Sequence, residues 1–257
     1  KGPDAIRQVS DGIETYSPYL KDDLESLGDR FVDLGNIDDL FSHDANINWQ
    51  KGADVFKNIF ENINLKETNI KLLTIGGEHS ISYAPLKKYL TDYQDLCVIH
   101  LDAHADLRDG YQGFHFSHAS VMRRVMELFS EKNNLIQYGI RSGTKEEYEL
   151  MEKNKTLIDS KDFFLEKIKS LPNDRPLYLT LDLDYFDPSF LPGTGTPEPG
   201  GEDFHSLISL LKILKDKNLV GADVVELAPD IDSTGNSSVF AAKVVRELVI
   251  CMGIENV

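Results

Sequence analysis

The stretch Cys97-Val-Ile-His-Leu-Asp-Ala-His-Ala-Asp106 decides the fold. It begins as a buried strand and ends by placing Asp102, His104 and Asp106 at alternate positions, so in extended chain the three side chains point the same way. A second buried strand, Leu177-Tyr-Leu-Thr-Leu-Asp-Leu-Asp184, ends in the same manner with Asp182 and Asp184 two residues apart. A third, Lys71-Leu-Leu-Thr-Ile75, runs into Gly76-Gly-Glu-His-Ser80, where the glycines suit a tight turn and His79 is presented at the same edge. Acids gathered at the carboxyl ends of apolar strands mark the edge where open parallel sheets bind ligands, because the loops diverge there and leave a crevice.

Working outward, Val-, Ile- and Leu-rich segments alternate with longer stretches of helical period, the pattern of a parallel sheet covered by helices on both faces. The expected fold is α/β, a three-layer α-β-α sandwich with a mainly parallel sheet. Strands are predicted over Ile70–Ile75, Leu96–Leu101, Leu135–Gly139, Pro176–Leu183 and Val220–Glu226. They are nearly continuous apolar runs, as expected when both faces are buried. Helices are predicted over Gly52–Asn62, Ile81–Leu90, His118–Ser130, Lys145–Asn154, Lys161–Ser170, Phe204–Lys217 and Ser238–Cys251. No repeat, low-complexity tract or Pro/Ser linker divides the chain. The loop Asp187–Gly201 holds four of the ten prolines and four of the eighteen glycines, which makes it rigid, irregular and a candidate functional segment.

Composition narrows the classes. With 257 residues, 41% apolar and 27% charged, the chain is long enough for a sizeable core and is not disordered. Its longest apolar runs, Leu219–Val225 and Leu96–Ile99, fall far short of the roughly 20 residues of a membrane span. Neither a secretory leader pattern nor a disulfide framework is visible, Cys97 and Cys251 being the only cysteines, and a cytoplasmic enzyme is expected. Lys plus Arg number 27 against 43 Asp plus Glu, and the formal charge of -16 argues against a nucleic-acid surface while favouring cationic ligands. Solubility alone also accounts for that charge.

The three strand ends supply two imidazoles, His79 and His104, and four carboxylates, Asp102, Asp106, Asp182 and Asp184. Four negative charges crowded together would repel and drive one another's pKa values up, and a pair of divalent ions is the physical resolution. Oxygen-rich ligands with some nitrogen suit two Mn²⁺ ions better than the sulfur-rich sites of structural zinc, with Fe²⁺, Co²⁺ and Zn²⁺ as alternatives. Taken singly, an Asp-x-Asp is more often a turn or helix cap and Gly-Gly-Glu-His is weaker still. Asp-Ala-His-Ala-Asp on a buried strand is stronger, since acids are seldom buried without partners. His100 shares the parity of Asp102 but lies deeper, where a satisfied core histidine or a partner to a ligand is expected, not a seventh ligand.

These motifs, with Gly2-Pro-Asp-Ala-Ile-Arg7 near the start, resemble the ureohydrolase (arginase/agmatinase) family over essentially the whole chain. The resemblance implies an arginase-like fold and makes His79, Asp102, His104, Asp106, Asp182 and Asp184 the ligands of a binuclear manganese centre, the same six that the strands supplied. It implies that His118, in Phe116-Ser-His-Ala-Ser120, shuttles a proton. Glu226, in Val224-Val-Glu-Leu-Ala-Pro229, would anchor a guanidinium, and Thr196, in the Gly193–Gly201 loop, would face the substrate. Without the resemblance, a histidine opening a helix is more often a capping or surface residue, and a strand-end Glu before Pro is evenly balanced between structural and functional roles. Arg108-Asp-Gly-Tyr-Gln-Gly-Phe-His-Phe-Ser-His118 is similar to the agmatinase loop and lacks the Ser-Gly-Asn type segment with which arginases hold the head of arginine. The implied substrate is therefore agmatine, cleaved to putrescine and urea, by a homo-oligomer, a trimer or hexamer. Family chains begin with a further strand and glycine-rich loop ahead of the Gly2–Arg7 motif, so a single domain over 1–257 lacking that first strand is expected.

Rival readings are a metal-dependent deacetylase or phosphoesterase, a metal-binding member that has lost catalysis, or the same chemistry on arginine, guanidinobutyrate or an aminopropyl-agmatine. A phosphoesterase would show a Gly-Asn-His-Asp type motif and cations for phosphate, and neither is present. The presence of His118 and Glu226 argues against a scaffold.

Overall fold

The computed structural model describes residues 1–37 and 45–253. In chain order the elements are α1 (Gly2–Ser10), the short strands β1 (Tyr16–Ser17) and β2 (Asp22–Asp23), α2 (Ala45–Phe60), α3 (Leu65–Thr68), β3 (Leu72–Ile75), α4 (Tyr83–Asp92), β4 (Cys97–Leu101), α5 (Val121–Met126) and β5 (Asn134–Tyr138). Then follow α6 (Lys145–Asn154), β6 (Leu157–Ile158), α7 (Lys161–Ser170), β7 (Leu177–Asp182), α8 (Phe204–Leu214), β8 (Leu219–Val225) and α9 (Asn236–Gly253).

β3 to β8 form one sheet in the order β3-β8-β7-β4-β5-β6, and every neighbouring pair is parallel. Alternation along the strands feeds two separate cores. Cys97, Ile99 and Leu101 of β4, with Leu177, Leu179 and Leu181 of β7, pack on one face with α1, α7, α8 and α9. Val98, Leu135 and Tyr178 pack on the other with α2 to α6. This is the expected three-layer α-β-α sandwich. On the first face Arg246 of α9 pairs with Glu247 and donates to the carbonyls of Glu14 and Tyr16, which fastens the N-terminal segment across the helix layer.

α6 and α7 coincide with their predicted spans, because both carry side-chain N-caps, Thr144 with Glu147 in a capping box and Ser160. Other boundaries move. α2 starts at Ala45 and runs through Gly52, the residue taken as its start; a helix-interior glycine costs only about 1 kcal/mol. α5 stops at Met126 instead of Ser130, its end tightened by bonds from Leu128 and Phe129 to the carbonyls three residues back. The sixth strand β6 and the antiparallel β1–β2 pair are two residues each and carry too little periodicity to be read.

Two register features position the site. A shift between Leu177 and Tyr178 skips one residue of β8, so that Thr180 lies beside Asp223. As a result Thr74, Asp223, Thr180, His100 and Gln137 form a continuous row across five strands. The last four are fully buried, and they are the polar interruptions in strands that the sequence shows as nearly continuous apolar runs.

Candidate metal centre

β4 ends at Leu101, and the segment beyond it is not extended as the alternation suggested. His104 bridges to Ser142, and Asp106 sits at φ 55° in the left-handed region. The bend separates the three side chains. Asp106 turns with Asp102 toward His79, and His104 turns toward Asp184, its Nδ1 2.9 Å from Oδ2. The β7 end supplies Asp182 as its last residue and Asp184 from the 3-10 turn that follows, with Asp182 accepting the Asp184 N–H at 2.8 Å.

The Gly76-Gly77 turn needs its first glycine for space rather than dihedral freedom. A Cβ at Gly76 would come within 2.8 Å of Ile81 and 2.9 Å of Val225, whereas Gly77 has open space and neither adopts a positive φ. Gly139, at φ 94°, is required on both counts, since a Cβ would meet the Tyr185 ring and the Asp102 carbonyl. It lets β5 end against the strand that carries the cluster.

His79 is buried and its Nδ1 lies 3.0 Å from Asp102 Oδ2, 3.1 Å from Asp106 Oδ2 and 3.3 Å from Asp182 Oδ2. Close as these oxygens are, Nδ1 makes no well-formed hydrogen bond to any of them; it points between them. Its other nitrogen, Nε2, is 2.8 Å from Thr180 Oγ1. A buried ring nitrogen aimed among three carboxylate oxygens is the geometry a divalent cation completes. His79, His100, Asp102 and Asp106 form one such group of donors, and Asp102, His104 and Asp184 a second, with Asp102 common to both and Asp182 in neither. His100 belongs to the first group by distance, but both its nitrogens are used: Nδ1 is 3.1 Å from Gln137 Nε2 and Nε2 is 2.8 Å from Asp102 Oδ2. That accounts for it without a metal.

The electrostatics carry the same message. Burial, then the charges of Asp184 and Asp102, pushes Asp182 well above the ordinary carboxylate range. Burial and Asp102 raise Asp106 to about 7 and also raise Asp184. Burial opposes charge on the imidazoles as well, yet contact with the carboxylates holds His79 well above its ordinary value and lifts His104 to about 11. Without a metal, protons are the cations available to this cluster, and a divalent ion would displace them.

Around the cluster lies a cavity of about 190 Å³ lined by His79, His104, Asp106, Asp182, His118, Thr196 and Glu226, with Arg108, Tyr111 and Glu147 among its other walls. It is smaller than the roughly 300 Å³ at the low end of drug-sized pockets, which suits a slender ligand. Glu226 follows β8 at φ 68°, a costly conformation for a non-glycine residue, and accepts the His79 N–H through Oε1 at 2.8 Å. Burial raises its carboxyl to about 7. His118 opens a 3-10 turn capped by Ser117 and Ser120; its Nδ1 is 3.5 Å from Glu78, which raises its pKa. Thr196 Oγ1 reaches Asp184 Oδ2 at 3.4 Å.

Several supports were invisible in the sequence. Arg141 donates to the carbonyls of Gly139, Asp184 and Glu198 and so straps the Gly193–Gly201 loop to the cluster. Trp49 of α2 stacks on Phe116 at 4.0 Å and donates to the Ser80 carbonyl, bracing the loop before His118 against the His79 turn. Tyr178, Thr180 and Asp223 lie inside the sheet below His79. No local motif announces any of these.

Fold and cluster together define an α/β protein with a carboxylate-rich centre suited to a pair of cations sharing Asp102. Residues 1–251 match the model of the arginase family. The chain is 39% identical to an agmatinase of Bacillus subtilis and 38% identical to one of Bacillus cereus, in each case over 97% of its own length and 84% of the relative's. The proclavaminate amidino hydrolase of Streptomyces clavuligerus superposes with a TM-score of 0.84 at 28% identity, covering 98% of this chain and 85% of that one. The chain belongs to the arginase family. Among the described residues no helix is long and apolar enough to cross a membrane.

Proposed function

We propose that this chain hydrolyses agmatine to putrescine and urea at a centre of two Mn²⁺ ions held by His79, Asp102, His104, Asp106, Asp182 and Asp184. The observation that carries the reading is the unpartnered Nδ1 of His79 among three carboxylates, in the cavity that also contains Glu226 and His118. The named agmatinase relatives support the choice of substrate.

Two divalent ions, when bound, supply hydroxide at neutral pH by lowering the pKa of a water toward about 7. Glu226, fixed by the His79 N–H, binds the planar guanidinium through charge-assisted hydrogen bonds and aims its carbon at the cluster. Thr196 and the strapped loop close the side beside Asp184. Oxygen adds to the guanidinium carbon, the bond from that carbon to the chain nitrogen breaks, and His118 delivers the proton that lets the amine leave. Glu78 keeps His118 protonated to higher pH, which is the state this step needs. Four carboxylates offset the two dications, so a cationic substrate is tolerated. Following the resemblance, the enzyme works in the cytoplasm as a trimer or hexamer.

The test is urea release by chelator-stripped protein with Mn²⁺ restored, given agmatine, arginine and guanidinobutyrate in parallel. Urea from agmatine alone is expected. Preference for guanidinobutyrate would assign Arg108, at the cavity wall, to a substrate carboxylate and overturn agmatine.

A further inference from the structure

We propose that Thr180 and Asp223 lock the ring of His79 in its Nε2–H form, and thereby set how tightly the centre holds its cation. The inference rests on reading His79 as a ligand and extends it to residues in the interior of the sheet.

The direction of each hydrogen bond decides the matter. Thr180 has one hydroxyl proton and donates it to Asp223 Oδ1 at 2.7 Å. Tyr178 donates to the other oxygen, Oδ2, at 2.8 Å, so Asp223 accepts on both sides. Toward His79 Nε2, 2.8 Å away, Thr180 Oγ1 then has only lone pairs, and the ring nitrogen must be the donor. With the proton held on Nε2, the lone pair of a neutral ring is on Nδ1, the atom that faces the carboxylates of Asp102, Asp106 and Asp182. The ring is presented to a metal in the one form that can ligate from that side.

The arrangement is built into the sheet. Asp223, Thr180 and Tyr178 are fully buried, and Thr180 and Asp223 are lateral partners only because of the register shift after Leu177. A second chain in the same row reaches Asp102: Thr156 donates to Gln137 Oε1, and Gln137 Nε2 lies against His100 Nδ1, which leaves His100 Nε2 to donate to Asp102. A buried Asp–Thr pair inside a hydrophobic layer carries a desolvation cost that apolar residues would avoid. Orienting His79 gives that cost a function.

The measurement is the affinity of stripped, folded protein for Mn²⁺ and Zn²⁺, read by competition with a chelating indicator, without substrate. Thr180→Val removes the acceptor at nearly constant volume and is expected to weaken binding about 10- to 100-fold, the range for outer partners of metal-bound histidines. Thr180→Ser should restore it to within a few-fold of the parent. Asp223→Asn, which frees the hydroxyl to turn toward the ring, should weaken binding in the same direction. Ser17→Ala is the control for destabilisation alone: its buried hydroxyl donates to Glu247 and accepts the Leu20 N–H in the helix layer, so it should lower the melting temperature without changing metal affinity. In Zn²⁺-loaded protein, imidazole nitrogen resonances should show His79 protonated at Nε2 in the parent.

Parental affinity in folded Thr180→Val, or failure of Thr180→Ser to rescue, overturns the proposal and leaves the function untouched. If Thr180→Val does not fold, Asp223→Asn and the nitrogen resonances decide it: parental affinity in that variant or an Nδ1–H ring overturns it. If the parent protein binds no metal at all, the proposed centre fails first and this inference with it.

Discussion

The two ends of the sheet make opposite use of polar side chains. At the amino ends of β4, β5 and β7 lies a hollow of about 440 Å³ lined by Asp95, Glu131, Lys132, Asn134, Pro172, Asp174 and Arg175. At the carboxyl ends the cavity is less than half that volume, about 190 Å³. The larger hollow is walled mostly by exposed residues of both signs, whose charges water screens. The smaller one gathers acids in which burial, then neighbouring carboxylates, raises the pKa values of Asp106, Asp182 and Asp184 while the histidines hold Asp102 well below the ordinary range, and it leaves a ring nitrogen without a partner. Volume therefore does not identify the site. Uncompensated burial does, because such groups persist only where something else compensates them.

That contrast can be broken by experiment. The largest effect is expected at Asp102, common to both donor groups: Asp102→Asn should lose metal and lower activity by at least about 10³-fold, since water without the metal stays far above neutral in pKa. Normal turnover by this variant would remove the centre from the chemistry. His118→Asn should lower kcat by about 10² to 10⁴-fold while metal content stays at the parental value. Equal loss of metal would show instead that His118 supports the cluster. Glu226→Gln should reduce kcat/KM for agmatine by about 10- to 100-fold, the worth of one charge-assisted bond, and a change no larger than twofold would move guanidinium recognition elsewhere.

Stability of metal-stripped protein provides a fourth test. Glu226 and Asp106 titrate at about 7 in the fold, above the ordinary carboxylate values. Between those values and about 7 the native state keeps protons that the unfolded chain releases, so stability falls as pH rises through that window, and it goes on falling above it because His79 and His104, the latter lifted to about 11, keep protons that unfolded imidazoles have lost. The melting temperature of stripped protein should follow this fall, Glu226→Gln should flatten part of it, and added divalent metal should abolish it. A rise over the same window would contradict the assigned shifts. The smallest effect belongs to the other end: Lys132→Ala and Asp174→Ala should leave kcat/KM unchanged and stability within about 0.5 kcal/mol, as exposed positions do. A marked loss of activity there would give the larger hollow a role.

Much of this site was legible because its residues are local in sequence. Acids two apart at the end of an apolar run are tied to a strand end by geometry alone, so Asp102, Asp182 and the turn carrying His79 could be placed at one edge. The branch of Asp106 away from His104 was not legible, since it depends on a left-handed residue that a period-two reading assumes away. Arg141 and Trp49 were missed for another reason: each acts through contacts to segments more than 30 residues distant and has no motif around it. His118 and Glu226, which line the same cavity, were singled out only through family resemblance, their isolated residue types being uninformative.

The sequence by itself determined that acids and imidazoles crowd at the carboxyl edge of a parallel sheet, because period and polarity within each strand are local properties. Only the tertiary structure decided which strands lie side by side and in what register. Without the shift after Leu177, Thr180 would lie beside Ala222 and its link to Asp223 would be lost. Lateral alignment is fixed by packing across strands far apart in the chain, and a one-residue difference in it decides which side chains meet.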